Sequence, residues 1–596
     1  MSITPSNLYP PHPATVRAQS LHLSYDAKND RIAYPSGRSI IVRPLDPKNG
    51  VAKQFTKHIH PTTVATFSPS GNYVASGDES GAVKIWDVTV TGEESFEQPY
   101  IKSEFQILSG PIKSIAWDGD SSRVIAVGAG KDKFGHCFTW DSGNSIGEIQ
   151  GHSDTINAVD IKPQRPYRAA TVSDDKALVF YNGPPFKFDK SLRGYHTNTV
   201  RAVKFSPDGK FLVSVGSDRT IVIYDGKTGE FVKKVEGAHN GGIFGLSWYK
   251  DSSAFVTASA DNTLKVWNLD FESTKTYVID SKVSVENQQV SVIVANDYIV
   301  SLSLNGNLNY FKEETNPSFV IPGHQKSLTA IYYGDGLYTG GSDGTIMKWN
   351  VKDTIDPIPE SVRAHSNYIA SITEFGSIVS AGWDDTLKTN SKSLGLSGQP
   401  KQLIKNDKEL FVLYESKVEV YNSSFEKTNE IDLPFSSSNF DTFSNKLLIT
   451  NESKNTIEEY TALSHSKTYP ALRSPPSLIR ISPDGELAAV SDTSGKYTLY
   501  KTSDGSVVTT RWAFHTSKVI DAKWTKDSKF LISGGLDSGL FLYSVDKPSK
   551  VLKFPLAHQN GVTGLEWISY DGKNGVFVSI GLDGVLKSWD VDLSVY

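Results

Sequence analysis

Short runs of alternating apolar and polar residues recur along most of the chain and are separated by turn residues. One copy is Thr345-Ile346-Met347-Lys348-Trp349, which follows the turn dipeptide Asp343-Gly344. Alternation with a period of two predicts a strand that presents every second side chain to each face. Pairs such as Asp261-Asn262 suit the positive φ of a tight hairpin. The pattern therefore predicts short antiparallel strands joined by hairpins.

These runs are organised in a unit that repeats about every 40–45 residues. Seven units begin with a histidine that follows glycine, alanine or an aromatic residue, and in four units a Trp or Tyr follows a turn aspartate by six residues. The histidines are His152, His196, His239, His324, His365, His515 and His558, and the aspartates are Asp218, Asp261, Asp343 and Asp583. Because these features recur in the same order, they indicate WD-type blades of four strands each.

The length predicts the number of blades. Division of 596 residues by about 42 per repeat gives about fourteen. One such sheet cannot bury both of its faces, whereas radial stacking buries them and leaves only short edges. Propellers usually hold roughly four to eight blades, so we predict an all-β protein with two seven-bladed WD40 propellers in tandem, residues 19–322 and 323–596. Copies near residues 398, 434 and 475 lack the His and Trp marks and are assigned by alternation and spacing alone.

The two ends of the sequence suggest how the second ring closes. The sequence stops just after Trp589-Asp590, which supplies the third strand of the last blade and no fourth strand. A spare strand, Ala14-Thr15-Val16-Arg17, precedes the first blade. We therefore predict that the N-terminal segment, residues 11–18, supplies the outer strand of the fourteenth blade.

Composition narrows the classes of partner and compartment. Lys and Arg total 61 and Asp and Glu total 66, and the resulting formal charge of −5 argues against nucleic acid and a membrane surface as partners. The single cysteine, Cys137, excludes a disulfide framework and Cys-based zinc clusters. No apolar run reaches the roughly 18 residues of a membrane span, and the first residues lack a signal peptide, so we expect a cytoplasmic protein.

Catalytic motifs are absent or incomplete. The sequence contains no His-Glu-x-x-His metal motif and no Gly-x-Ser-x-Gly nucleophile elbow. Gly226-Lys227-Thr228 lacks the earlier glycine of a phosphate loop, because that position is Ile221. The seven blade histidines, with their aspartate and aromatic partners, are typical of a buried hydrogen-bond network repeated in each blade rather than of a catalytic site. We therefore predict no enzyme, no metal site and no cofactor.

Three stretches on consecutive blades of the first ring depart from the repeat and predict a contact patch. They are the charged hairpin Gly130–Gly135 with Asp132, the extra acid Asp174 beside the turn residue Asp175, and the loop Gly183–Phe188. Because they fall on neighbouring blades, we expect one contiguous surface. Asp174 is expected to be exposed, and a merely solvated turn residue is its alternative interpretation.

The loop Gly183–Phe188 begins with a Pro-Pro pair, which removes backbone donors and stiffens the chain. In an extended segment Phe186 and Phe188 point to one side and Lys187 to the other. We therefore predict a preformed aromatic contact made by both rings. The alternative is that at least one of the two rings packs into its own blade, and that Lys187 is simply solvated.

Six segments spread over nearly the whole chain are not general features of WD repeats. They are Ser103–Gln106, Trp140–Ser145, Gly183–Phe188, Asn287–Val290, Trp383–Lys388 and Arg511–Lys518. In these segments the chain resembles the actin-interacting protein one family of WD-repeat proteins, and its fungal members look most similar. The resemblance implies two seven-bladed propellers that bind actin filaments decorated by cofilin, promote their severing and disassembly, and cap barbed ends. It also implies residence in the actin cytoskeleton, at cortical actin patches, and we expect a monomer.

Carried over position by position, the functional patch of the family falls on Asp132, Asp174, Lys187 and Phe188. Asp132 replaces a longer Glu of some relatives and keeps the charge. Where relatives carry an aromatic residue after the histidine of the fifth blade, this chain has Thr199. The implied mechanism is non-covalent, since a ligand that prefers the weakened filament shifts it toward broken ends by differential affinity alone. The two acids would orient the encounter and Phe188 would anchor it.

Two other classes of function stay open from the residues alone. A generic WD-repeat scaffold, in a ubiquitin ligase, trafficking or ribosome-assembly complex, would share the blades but have no affinity for filaments. A hydrolase or dehydrogenase built on a propeller is the third class. We disfavour it because no polar constellation is expected around the central channels.

Overall fold

The computed structural model describes residues 3–89, 99–280, 282–352, 354–363 and 365–594. Within these ranges, 56 strands form fourteen four-stranded antiparallel sheets, and the only helix is a short 3-10 turn, Pro47–Asn49. No helix in this part of the chain has the length and hydropathy needed to cross a bilayer. The predicted fold class, all-β with fourteen four-stranded blades, is confirmed.

The chain folds into two compact units, and each unit is a ring of seven sheets. The N-terminal ring is His12–Gln325. The C-terminal ring combines the segment that ends at Pro11 with the chain from Lys326 onward. The boundary predicted from the sequence, after Pro322, is slightly earlier than the one in the structure, after Gln325.

We number the strands in chain order and call the sheets blades 1 to 14. Strand β1, Ile3–Tyr9, belongs to blade 14. Blades 1 to 7 form the N-terminal ring and contain, four strands each, β2 Ser24–Asp26, β3 Arg31–Ser36, β4 Ser39–Pro44, β5 Lys53–Phe55; β6 Thr62–Phe67, β7 Tyr73–Asp78, β8 Ala82–Asp87, β9 Ile101–Gln106; β10 Ile112–Trp117, β11 Arg123–Gly128, β12 Gly135–Thr139, β13 Ser145–Glu148; β14 Ile156–Ile161, β15 Arg168–Ser173, β16 Leu178–Asn182, β17 Lys187–Leu192; β18 Val200–Phe205, β19 Phe211–Gly216, β20 Ile221–Asp225, β21 Phe231–Val235; β22 Ile243–Trp248, β23 Phe255–Ser259, β24 Thr263–Trp267, β25 Ser273–Val278; and β26 Gln289–Ala295, β27 Tyr298–Ser303, β28 Leu308–Phe311, β29 Phe319–Ile321.

Blades 8 to 14 form the C-terminal ring. They contain β30 Leu328–Tyr333, β31 Leu337–Gly341, β32 Thr345–Trp349, β33 Glu360–Arg363; β34 Ile369–Phe375, β35 Ser377–Gly382, β36 Thr386–Lys388, β37 Ser393–Gly395; β38 Gln402–Lys405, β39 Leu410–Leu413, β40 Lys417–Tyr421, β41 Lys427–Asp432; β42 Phe440–Phe443, β43 Lys446–Asn451, β44 Thr456–Thr461, β45 Ser464–Thr468; β46 Pro476–Ile481, β47 Leu487–Asp492, β48 Tyr497–Lys501, β49 Val507–Thr509; β50 Val519–Trp524, β51 Phe530–Gly535, β52 Leu540–Ser544, β53 Val551–Phe554; and β54 Val562–Tyr570, β55 Asn574–Gly581, β56 Leu586–Asp592 with β1.

The core of each ring lies between neighbouring blades. In the N-terminal ring, blade 1 and blade 7 share one apolar cluster that includes Ile41 and Val300, so the ring is closed. In the C-terminal ring, Ile331 of blade 8 and Ile580 of blade 14 share another. Full burial of each aliphatic side chain contributes about 1.5–3 kcal/mol. The first strands of the seven blades surround a central cavity of about 610 Å³ in the N-terminal ring and about 570 Å³ in the C-terminal ring.

The outer strand of blade 14 is β1, which pairs antiparallel with β56 from Ile3 opposite Val591 to Tyr9 opposite Leu586. The prediction that residues 11–18 form this strand is wrong. His12 and the residues after it belong to the N-terminal ring. Pro10, Pro11 and Pro13 have no backbone N–H and cannot continue a ladder, whereas the earlier segment supplies buried apolar side chains at both of its ends.

Blade 10 lacks the histidine and Trp marks because a buried glutamate takes their place. The carboxylate of Glu419 is nearly inaccessible and accepts hydrogen bonds of 2.6–2.9 Å from Ser397, Tyr414, Tyr421 and Lys427. Burial alone would raise its pKa, but the Lys427 ammonium and these hydroxyl groups hold the pKa of Glu419 well below its usual range. A different polar centre therefore serves the same four-stranded frame.

Candidate functional site

The blade histidines lie inside their blades, beside the aspartate of the second hairpin. In blade 4, His152 Nδ1 lies 3.1 Å from each carboxylate oxygen of Asp175, and His152 Nε2 lies 2.8 Å from the Thr171 hydroxyl. The Tyr181 hydroxyl donates to the Gln150 carbonyl at 2.7 Å and completes the group. The same His Nδ1–Asp contact, with shortest distances of 2.8–3.0 Å, joins His196 to Asp218, His239 to Asp261, His365 to Asp384, His515 to Asp537 and His558 to Asp583.

One such group, in blade 2, was not predicted from the sequence. In blade 2, His58 Nδ1 lies 2.8 Å from Asp78, eight residues before Trp86, so its spacing falls out of phase with the other copies. In blade 8, Asp343 accepts hydrogen bonds from the backbone N–H and the hydroxyl of Thr345, at 3.1 and 2.7 Å. His324 is buried, and its backbone carbonyl accepts the N–H of His12. The role predicted for His324 and Asp343 stays a prediction.

The structure corrects the prediction for Phe186. Its side chain is 1 % exposed and lies in the core between blades 3 and 4, in a cluster with Ile149 and Val179. Strand β17 begins one residue later, at Lys187. Phe186 lies in the preceding turn, so strand alternation does not relate it to Phe188. The two phenylalanine side chains therefore do not lie on one face of a strand. Phe186 cannot make the predicted outward contact.

Phe188 is the exposed aromatic residue of this loop. It lies opposite Tyr181 on the outer strand of blade 4, and 49 % of its surface is exposed. Its ring packs on bare backbone, since a Cβ atom added to Gly151 would come within 2.7 Å of it. Gly151 has a φ of 106°, a conformation that favours glycine. The ring is therefore held on one side and presented to solvent on the other.

Asp174 is more constrained than the sequence analysis expects. It is half-buried rather than exposed, and its carboxylate accepts a hydrogen bond from the Asn157 side-chain amide at 2.8 Å. Its backbone N–H donates to the Thr155 carbonyl at 3.0 Å. The Asn157 amide also donates to the Val200 carbonyl of blade 5 at 3.1 Å. Asp174 is therefore fixed at the junction of blades 4 and 5, and its role as a contact residue stays a prediction.

The remaining two candidates, Asp132 and Lys187, are exposed. Asp132 lies on the turn between the second and third strands of blade 3, and Asp174 lies on the corresponding turn of blade 4. The two acids are thus at the same end of adjacent blades. In the part of the chain that the structure describes, no hydrogen bond or ion pair joins any two of Asp132, Asp174 and Lys187.

The hydrogen-bond group of blade 4 connects Phe188 with Asp174. The Phe188 ring rests on Gly151, the next residue is His152, and His152 contacts Asp175, the neighbour of Asp174. A path of packed and hydrogen-bonded groups thus runs from the outer strand to the turn. The same network that stabilises the blade also sets the relative positions of the two candidate contact residues.

The central cavity of the C-terminal ring is lined by charged side chains, so the expectation that no polar constellation lies around the central channels is wrong for this ring. Arg480 Nη2 donates to Asp521 at 2.7 Å, and Lys523 Nζ donates to Glu566 at 2.5 Å. Asp441 accepts the backbone N–H of Ile481, on the next blade, at 2.7 Å. These contacts join the first strands of blades 11 to 14, and bonding between blades accounts for them. Among the described residues, no three His, Cys, Asp or Glu side chains are grouped as metal ligands would be.

We expect Asp175→Asn to weaken the N-terminal ring at neutral pH and to flatten its response to acid. Burial raises the pKa of Asp175, but hydrogen bonds from His152 and the backbone N–H groups of Ser153 and Ala177 outweigh it and hold the pKa well below its usual range. The stability from this contact is therefore complete above the ordinary aspartate pKa of about 3.9 and is lost as the pH falls below that value. Loss of the charged partner should cost about 1–3 kcal/mol at pH 7.

Thermal denaturation between pH 2.5 and 7 checks this expectation, with Asp189→Asn as a control on the exposed outer strand of the same blade. The control should follow the wild type at every pH. Parallel losses of stability in wild type and Asp175→Asn below pH 4 would contradict the assignment.

Comparison with known proteins matches both rings. A family model described as WD domain, G-beta repeat, matches residues 51–87, 143–182, 187–225, 229–268, 315–350 and 503–544. The chain is 36 % identical to an uncharacterized WD repeat-containing protein of Schizosaccharomyces pombe, over 99 % of this chain and 100 % of that protein. It is 33 % identical to Actin-interacting protein 1 of Drosophila melanogaster, over 98 % of each chain. It is 34 % identical to WD repeat-containing protein 1 of Gallus gallus, over 97 % of each chain.

Proposed function

Since this chain belongs to the family of Actin-interacting protein 1 and WD repeat-containing protein 1, we propose that it binds actin filaments and promotes their disassembly together with cofilin. The observation that carries the proposal is the extent of the match, because 33 % identity extends over 98 % of the chain and includes both rings. The generic scaffold alternative would need only the WD blades. We include barbed-end capping, residence in the actin cytoskeleton at cortical patches, and a monomeric state in the proposal.

The surface of blades 3 and 4 supports this function. Phe188 is an exposed ring whose position is already set by Gly151, so little conformational entropy is lost when a partner covers it. Aromatic residues of this kind often contribute most of the binding energy at an interface. Asp132 and Asp174 add two carboxylates on corresponding turns of blades 3 and 4, and the exposed Lys187 precedes Phe188 on strand β17.

The chemistry proposed for this surface is non-covalent. A protein that binds the cofilin-decorated filament more tightly than the bare filament stabilises the decorated state by the difference in binding free energy. Binding also favours breakage when the bound surface of the filament is more accessible at a broken end than along the intact filament. Asp132 and Asp174 accelerate the correct encounter electrostatically, and Phe188 slows dissociation.

Cosedimentation of the full-length protein with actin filaments tests the proposal. We expect the protein to pellet with filaments, to pellet more when cofilin is present, and to increase the actin left in the supernatant under that condition. Filaments alone, cofilin alone and an unrelated seven-bladed WD protein are the controls. Absence of the protein from every filament pellet would contradict the function and favour a scaffold in another complex.

A further inference from the structure

The side chain of Arg201, on the first strand of blade 5, is held in place by two contacts. Most of its N–H groups nevertheless have no hydrogen-bond acceptor among the described residues. Its Nε–H donates to the Ser217 hydroxyl at 2.9 Å. The guanidinium carbon lies 5.6 Å from the centre of the buried Phe244 ring, within the range of a cation–π contact. Ser217, in a turn of blade 5, and Phe244, in blade 6, thus fix the orientation of the guanidinium in the unbound protein.

The rest of the guanidinium is available for binding. A guanidinium carries five N–H donors, and among the described residues only the Nε–H of Arg201 has a hydrogen-bond acceptor. No carboxylate of the described chain comes within ion-pair distance of Arg201, although Asp174 is close enough to raise its pKa slightly against the lowering caused by burial. A half-buried cation without an ion pair is unfavourable until a partner supplies the missing acceptor.

Arg201 belongs to the same surface as Asp174. Asn157 donates from one amide group to the Asp174 carboxylate and to the carbonyl of Val200, the residue before Arg201. The turn residue Ser217, which holds Arg201, occupies in blade 5 the position that Asp174 occupies in blade 4. The braced cation and the fixed acid therefore lie on adjacent blades at the same end of the ring.

We propose that Arg201 is a further partner-binding residue, which receives a carboxylate of the cofilin-decorated filament through two parallel N–H···O bonds. This inference rests on the proposed function. The free edge of a guanidinium matches a carboxylate in shape and charge. The partner is a protein filament, in which Asp and Glu side chains supply such carboxylates.

The test compares Arg201→Gln with Arg473→Gln in the full-length protein. Arg473 is exposed and lies between strands β45 and β46, far along the chain from blades 3 to 5. Both variants lose one positive charge. We expect Arg201→Gln to bind cofilin-decorated filaments about tenfold more weakly and to respond less to added salt, whereas Arg473→Gln binds as the wild type does.

The variant Arg201→Lys tests whether the planar shape of the guanidinium contributes to binding in addition to its charge. Lysine keeps the charge but loses the fork, so we expect a salt dependence like that of the wild type with affinity between the wild type and Arg201→Gln. Equal affinity and salt dependence of Arg201→Gln and Arg473→Gln would overturn the inference and leave the proposed function intact. So would a fall in the thermal midpoint of both Arg201 variants that parallels the loss of binding. Failure of the wild type to pellet would refute the proposed function itself, and the inference with it.

Discussion

Removal of residues 1–9 is expected to unfold the C-terminal ring while the N-terminal ring stays folded. Strand β1 buries Ile3, Leu8 and Tyr9, of which Tyr9 packs on Trp349 of blade 8, and it pairs along the length of β56. Burial of three large apolar side chains is worth about 5–9 kcal/mol, which is comparable with the whole stability of a typical domain. The deletion also leaves β56, with the buried Trp589, as an unpaired edge. The N-terminal ring loses no strand, because it begins at His12.

Limited proteolysis with identification of the fragments measures this outcome. We expect early cleavage after Lys326 and a resistant fragment that corresponds to the N-terminal ring. Thr4→Ala, which changes an exposed residue of the same strand, should be as resistant as the wild type. Addition of a peptide of residues 1–9 should restore part of the resistance. Equal resistance of both rings in the truncated protein would show that β1 is dispensable.

Phe188→Ala is expected to abolish most cofilin-dependent filament disassembly without unfolding the protein. Anchor residues of this kind contribute about 2–4 kcal/mol to binding, which corresponds to a loss of affinity of about 30-fold or more. The cost in stability should be small, because the ring is half-exposed and lies against the backbone of Gly151. The measurement is the rate of loss of filament polymer at fixed cofilin, together with a thermal midpoint.

Two other phenylalanines of the N-terminal propeller ring provide matched controls. Phe231 lies opposite Tyr224 on the outer strand of blade 5, as Phe188 lies opposite Tyr181 in blade 4, and it is 41 % exposed. Phe231→Ala should leave disassembly unchanged. Phe186→Ala should instead lower stability by about 3–5 kcal/mol, because its ring is in the core. Disassembly at the wild-type rate by a well-folded Phe188→Ala protein would exclude Phe188 as the anchor.

Local patterns were sufficient to predict the blades because each hairpin carries its own signal. Alternation and a turn dipeptide identify two strands within about a dozen residues, and the copies near 398, 434 and 475, which have no other marks, fold as blades 10, 11 and 12. What local patterns could not show is the polar centre of blade 10. Glu419 has no special spacing in the sequence, and its partners are defined only once four strands have been paired.

In the candidate site, too, some features could be predicted from the local sequence and others could not. The exposed positions of Asp132, Lys187 and Phe188 agree with a sequence reading of loops that depart from the repeat. The burial of Phe186 could not be read from the loop, because a turn before β17 interrupts the alternation on which that prediction depends. The fixed carboxylate of Asp174 requires Asn157, and the braced guanidinium of Arg201 requires Ser217 and Phe244, which other strands supply.

The amino-acid sequence alone determined the kind of element, the number of blades and the family, because each depends on residues that are close together along the chain or on similarity along its whole length. Only the tertiary structure decided which segment closes the last blade, which aromatic ring faces solvent, and which polar groups lack a partner. These depend on contacts between residues that are distant in sequence. Burial and hydrogen bonding at such contacts are properties of the assembled ring and have no local signature.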